Sequence, residues 1–121
     1  MIGPAELGAL FGGLRAAVTV ADEEYRIIFM NDLALEHYAD RGGEALISTD
    51  LLACHNAESQ AQLRQMYARY CAGDLTPTRH QADEGDGIGK GIIMIPLVVE
   101  GRFRGIAELI WSERSDLVFK E

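Results

Sequence analysis

Residues 17–32 read AVTVADEEYRIIFMND, and this stretch constrains the fold more than any other part of the chain. Ala17–Ala21 and Arg26–Met30 are rich in Val, Ile, Thr and Phe, whose branched or flat side chains pack well on a pleated surface. Asp22-Glu23-Glu24-Tyr25 between them has room only for a tight turn, so the two runs pair as an antiparallel hairpin. Asn31 or Asp32 then stands where a side-chain oxygen can accept the first free amides of a short helix, predicted over Leu33–Tyr38. The chain is committed early to an antiparallel sheet with helical cover.

The remaining punctuation completes that pattern. Gly42-Gly43 ends the first helical region, and Ala45–Cys54 reads as short helical turns around Ser48, Thr49 and Asp50. A long helix is predicted over Ala57–Ala72, with Asn56 as N-cap and Gly73 at the C-terminal position that favours glycine. Leu63, Met66, Tyr67, Tyr70 and Cys71 share one face of it, while Gln62, Arg64, Gln65 and Arg69 lie elsewhere on the wheel. Such a stripe packs as core, so Cys71 is expected to be buried and inert. Three strands follow, at Thr76–Ala82, Ile88–Val99 and Arg102–Ser112, with Glu100-Gly101 turning the last two into a hairpin. Pro96 lacks an amide hydrogen and points to a bulge or an edge. On the last strand, alternation puts Phe103, Gly105, Ala107, Leu109 and Trp111 on one face, and Arg104, Ile106, Glu108, Ile110 and Ser112 on the other. Near the start, Pro4 suits a first helical position, and Leu7, Leu10, Phe11 and Leu14 follow at i, i+3, i+4, i+7. Their stripe must meet either its own domain or a second copy in a dimer.

The fold class expected is therefore α+β: a five-stranded antiparallel sheet with helices on one face, plus an N-terminal amphipathic helix. The helix takes residues 1–15, one domain takes 16–113, and 114–121 form a tail. A chain of 121 residues can bury a core without disulfide or metal staples. Its net charge of -8 repels phosphate backbones and anionic lipid, which argues against nucleic-acid and membrane-surface roles. The longest apolar run, Ile92–Val99, contains Pro96 and is far too short to span a bilayer. Residues 1–14 lack the basic start and apolar segment of a signal peptide. Cys54 and Cys71 make no disulfide framework, so a cytoplasmic, reduced protein is the expectation.

This element order and hairpin chemistry resemble the PAS superfamily of sensory domains. The opening hairpin is similar in Val18-x-Val20-x-Asp22 followed by Arg26-Ile27-Ile28-Phe29-Met30-Asn31-Asp32, including the asparagine after the second strand. The closing hairpin is similar in Pro96-Leu97, Glu100-Gly101 and Gly105-Ile106-Ala107-Glu108. The likeness runs from about Leu14 to Ser112. It implies a domain that binds a small molecule or cofactor between sheet and helices and signals to an output protein or domain through contacts, commonly as a homodimer paired through a flanking helix. The N-terminal stripe of Leu7, Leu10, Phe11 and Leu14 is the candidate dimer surface.

Within that resemblance, Cys54-His55 is the pair to watch, because one PAS subgroup carries Cys-His followed by a serine here, and Ser59 matches. The haem-binding PAS domains of aerotaxis-type receptors use a histidine in the turn before the long helix as iron ligand and a tryptophan on the last strand beside the bound gas. The resemblance puts His55 and Trp111 in those positions, with haem as the implied cofactor and His55 as its metal ligand. An imidazole nitrogen suits haem iron, and an indole N–H can donate to bound oxygen. Gly105 and Ala107 would leave room for a flat ring, and Arg64, Arg69, Arg79, His80 and Lys90 are the cations available to propionates. A ligand pocket of any kind would be walled by Phe29, Leu52, Leu63, Met66, Tyr67 and Leu109, anchored by His55 with Cys54 beside it, and closed by Trp111. The plainer readings are a histidine bonded to local backbone and a tryptophan that is simply core or interface.

Other chemistries fit less well. The Asn-Cys-Arg-Phe-type motif of flavin photosensors is absent around Cys54. Adjacent Cys54 and His55 lack the separated spacing of a zinc site. GDGIGKG, residues 85–91, has Gly91 where a phosphate loop needs Ser or Thr, and reads as a turn. Ser59 near His55 has no nucleophile-elbow motif and suits a helix start. A competing class is a small α+β isomerase or cyclase with a buried carboxylate paired to His or Tyr, disfavoured because the carboxylates cluster in turns and termini. A ligand-free interaction scaffold is a third class, and it predicts a filled core.

Overall fold

The computed structural model describes residues 16–83 and 89–112. The first hairpin closes as the sequence predicts, with β1 (Ala17–Asp22) antiparallel to β2 (Ile27–Met30). Asp22 organises the turn: its Oδ1 accepts the amides of Glu24 and Arg26, each at 2.9 Å. The outer edge of β2 is covered, because Ile27 N–H donates to the Thr49 carbonyl (2.9 Å) and Ser48 N–H to the Ile27 carbonyl (2.7 Å). An uncovered edge would invite pairing with another chain.

Next come α1 (Asp32–His37), three 3-10 turns (Ala39–Arg41, Gly43–Leu46, Leu51–Cys54) and α2 (Ala57–Cys71). Then β3 (Thr78–Asp83), β4 (Gly89–Val99) and β5 (Arg102–Ser112) complete one sheet in the order β2-β1-β5-β4-β3. The five-stranded antiparallel α+β architecture is the one expected, with the helices inserted between β2 and β3. Glu100 and Gly101 turn β4 into β5 with φ of 52° and 77°, the left-handed pair that matches strand twist in a two-residue hairpin. The N-terminal helix with Leu7, Leu10, Phe11 and Leu14, the tail 114–121 and positions 85–88 of the glycine-rich run lie outside the described residues; Gly89–Gly91 of that run belong to β4.

The helices pack on one face of the sheet. Leu63, Met66, Tyr67 and Tyr70 of α2 meet Met94, Ile106 and Ile110. Tyr70 is 1% exposed yet its hydroxyl is satisfied, at 2.9 Å from Thr78 Oγ1 and 3.4 Å from the Met94 carbonyl. Cys71 corrects the sequence reading: it is exposed. The packed stripe stops at Tyr70, and the next residue round the wheel, in the last turn of α2, turns off it.

The strand alternation also needs correction. Leu97 pairs with Gly105 but Val98 pairs with Phe103, so Arg104 is an extra residue in β5. Such a bulge reverses which side chains face the core beyond it. Phe103 therefore joins the core face, edge-on to Tyr67 at 5.3 Å, together with Ile106, Glu108 and Ile110. Pro96 pairs with Ile106 of β5 next to this irregularity, and because the pairing of β3 with β4 stops at Met94, it lies on a stretch of β4 with no partner strand on its other side among the described residues, as a residue without an amide hydrogen requires.

Candidate functional site

His55 occupies a segment fixed from both sides. Asp50 Oδ1 accepts the Leu52 amide at 2.8 Å and caps the 3-10 turn before it. Asn56 Oδ1 accepts the Ser59 amide at 2.8 Å and caps α2 after it. Gln60 Nε2 donates to the carbonyls of Leu52 and His55, each at 2.9 Å, clamping the two turns together. The ring is fixed too. His55 Nδ1 lies 2.8 Å from the Leu51 carbonyl oxygen. A carbonyl only accepts, so Nδ1 carries the hydrogen and Nε2 is left to face outward from this bond.

What His55 faces are two cavities between sheet and helices. The first, about 450 Å³, is lined by Thr19, Ile27, Met30, Tyr38, Arg41, Leu46 and Leu51. The second, about 430 Å³, lies along α2 and is lined by residues including Leu63, Met66, Arg69, Thr78 and Met94. His55 and Glu108 line both, so this pair forms the partition between them. The strands explain the placement: Thr19, Glu108 and Met94 are register partners across β1, β5 and β4, and all point to the helical side.

Glu108 is the residue that the sequence reading missed. Tyr38, the C-cap residue of α1, donates its hydroxyl to Glu108 Oε1 at 2.8 Å. Among the described residues no Lys or Arg forms an ion pair with this carboxyl. Burial pushes the Glu108 carboxyl above the usual carboxylate range, while the Tyr38 hydrogen bond and the nearby His55 pull it partly back. Beside it Thr19 is buried, and its Oγ1 has no hydrogen-bond partner among the described residues. A signal for Glu108 was present in the sequence, since a lone carboxylate interrupts the alternating apolar face Ile106, Ile110.

The raised Glu108 value makes stability depend on pH. The folded state holds this proton more tightly than the unfolded chain, so stability falls as pH rises from about the ordinary Glu value of 4.5 through the raised folded value. Glu108→Gln keeps the shape and an acceptor for Tyr38 but cannot ionise. In urea denaturation from pH 4 to 8, the variant is expected to match the wild type at the acid end and exceed it increasingly toward neutrality. Parallel curves would show that burial of Glu108 carries no such penalty.

The other expected site residues divide. Leu63 and Met66 line the second cavity with His55. Leu52 is partly buried and packs against the core. Tyr67 is core: it stacks on Tyr25 at 4.1 Å and donates to the Asp22 carbonyl at 2.8 Å. Cys54 ends the 3-10 turn, and its side chain lies outside the described residues. Trp111 and Leu109 alternate with Ile110 and Glu108 and so stand on the opposite face of β5. Trp111 lies over Gly91, where a Cβ would meet its ring at 2.0 Å, and Arg79 sits 5.8 Å from the ring centroid. Phe29 pairs with Val20, off the core face, and is 40% exposed. The lid role for Trp111, the wall roles for Leu109 and Phe29, and the space above Gly105 and Ala107 are therefore withdrawn.

Comparison with known proteins gives the fold a class. No family model and no curated protein matches the sequence. Solved structures do match. The PAS domain of BvgS from Bordetella pertussis superposes with a TM-score of 0.64 at 18% identity, over 94% of this chain and 90% of that one. A sensory box sensor histidine kinase from Vibrio cholerae gives 0.59 at 16%, over 88% and 87%. The Aer2 receptor of Vibrio cholerae, described as a dual PAS-haem oxygen sensor, gives 0.60 at 14%, over 86% and 98%. The chain has the PAS fold, and its structural neighbours include domains of sensor kinases and of a receptor. No described helix is long and apolar enough to cross a membrane.

Proposed function

We propose that this chain is a signal-sensing domain that holds a small molecule between sheet and helices and passes its occupancy on by protein contact. The observation that carries the reading is the His55–Glu108 pair, two ionisable side chains that both line two chambers of about 450 and 430 Å³ whose walls combine apolar and polar side chains. An apolar cleft with a few convergent polar groups is the usual form of a small-molecule site. A bound molecule touching Glu108 would also act on Tyr38, and through it on α1, so occupancy has a route to the helical layer. Output through a homodimer, with Leu7, Leu10, Phe11 and Leu14 in the contact, belongs to the same proposal. Glu108 sits with Tyr38 and His55 in a cavity, and not in a turn or terminus where the carboxylates were expected to cluster; the fold and its neighbours support the sensory reading over a pocket enzyme.

Haem is the second reading, and the Nδ1–H bond to the Leu51 carbonyl favours it. Bonds of this kind orient histidines that ligate metal through Nε2. His55 would hold the iron, and Arg41 and Arg69 are the cations lining the two chambers. Haem would supply an iron that takes up diatomic gas, and Trp111 has no part in it. Native mass spectrometry and a visible spectrum with added haemin separate the readings. The first reading expects a co-purifying small molecule, lost in His55→Ala, and a spectrum of free haemin. A sharpened, red-shifted haem band that disappears in His55→Ala would replace it with the second. Neither signal would leave a ligand-free interaction domain.

A further inference from the structure

We propose that the chamber between the sheet and the 3-10 turns that follow α1 takes a small organic cation, a primary ammonium on an apolar body. The inference rests on the pocket reading above and adds the ligand's class. Three hydrogen-bond acceptors line this chamber together: the Glu108 carboxyl, the Thr19 hydroxyl and His55. Each lacks something. Glu108 has no Lys or Arg partner among the described residues, although buried carboxylates are ordinarily paired. Thr19 Oγ1 is buried with no hydrogen-bond partner among the described residues. His55 has spent Nδ1–H on the Leu51 carbonyl, which leaves Nε2 as the ring's acceptor. An ammonium group carries three N–H donors and a positive charge. It can donate to all three and gives Glu108 a counter-ion that no Lys or Arg among the described residues provides. A carboxylate ligand would instead face Glu108 as a like charge.

The rest of the wall fixes the ligand's body. Ile27, Met30, Leu46 and Leu51 surround the space away from the polar group, so the remainder of the molecule is apolar. Arg41 also lines this chamber, but it is exposed, where solvent and salt weaken its repulsion of a cation. The chain's net charge of -8 adds a long-range pull in the cation's favour.

The test uses three probes of one shape: phenethylamine, 2-phenylethanol and phenylacetate, titrated into the whole chain by calorimetry at pH 7. The amine is expected to bind at least about tenfold more tightly than the alcohol, and phenylacetate more weakly than either; tenfold is about 1.4 kcal/mol. Glu108→Gln should remove the amine's advantage. Thr19→Val, which breaks no existing hydrogen bond, should weaken the amine in a protein that folds normally. If the alcohol or phenylacetate binds as well as the amine, the chamber is a ligand site but the cation class is wrong. An amine advantage that survives in both variants also overturns the proposal. If none of the three binds, the proposal falls, and the native mass spectrum alone decides whether the chamber holds a ligand.

Discussion

Gly105→Ala is expected to cost about 3–5 kcal/mol, which adds overpacking against a fixed backbone to the strain of a left-handed residue. Gly105 sits at φ 140°, directly after the bulged Arg104, and pairs with Asp22 of β1. A Cβ there would lie 2.1 Å from the Ala21 carbonyl oxygen and 2.8 Å from the Asp22 Cα. Those atoms are backbone in the middle of the sheet and have no rotamer to move to. Relief requires β1 and β5 to part, and both strands carry residues that line the first cavity, Thr19 on one and Glu108 on the other. For a domain of this size, the loss lowers the melting temperature by roughly 15 °C or more. Thermal and urea denaturation measure it. A variant within about 1 kcal/mol of wild type would mean that the bulge can slide, since overpacking alone costs at least that much.

The same bulge marks the boundary of what the sequence could say. The hairpins, the order of elements from Ala17 to Ser112 and the caps Asn31 and Asn56 follow from local chemistry, and the structure keeps all of them. Strict alternation along Arg102–Ser112 puts Phe103 with Trp111, because nothing local announces one unpaired residue at Arg104. Glycine at 105 was visible, but a glycine in a strand can mean a bulge, a close approach or neither. The faces at the site differ for another reason: the resemblance puts Trp111, and with it Leu109, at the cavity, whereas the structure puts Glu108 there. Glu108 was readable in principle, as a single carboxylate between Ile106 and Ile110. Its partners were not, since Tyr38 and Thr19 reach it across 70 and 89 residues of chain and only the folded sheet brings them together. His55 stands out through the resemblance, as the histidine in the turn before the long helix, and the structure places it next to the N-cap Asn56. Cys71 was misjudged because a helical wheel assigns a face but does not say where that face stops being covered.

Asn31→Ala is the second large loss expected, about 3 kcal/mol, and it acts on the site from a distance. Asn31 is 5% exposed. Its Oδ1 accepts from the amides of Val18 and Ala34, each at 2.9 Å, and its Nδ2 donates to the Ala16 carbonyl at 2.9 Å. One side chain thus caps α1 and ties it to the start of β1. Alanine leaves two buried amides without these acceptors and one carbonyl without this donor; an N-cap alone is worth about 0.5–2 kcal/mol, and each buried orphan adds of order 1 kcal/mol. Asn31→Ser restores an oxygen close enough to cap α1 but too short to serve β1 as well, so it should recover about 1 kcal/mol of the loss. Urea denaturation gives the energies, and hydrogen exchange at the Val18 and Ala34 amides assigns them to the two ends. Faster exchange at Ala34 alone would reduce Asn31 to an ordinary cap. Loosening both ends frees α1, whose C-cap residue Tyr38 holds Glu108. That hydrogen bond lowers the Glu108 value, so its loss should carry the carboxyl further above the usual range and shift the pH dependence of stability with it. The asparagine that starts a helix then also sets the protonation of a buried acid on the far side of the sequence.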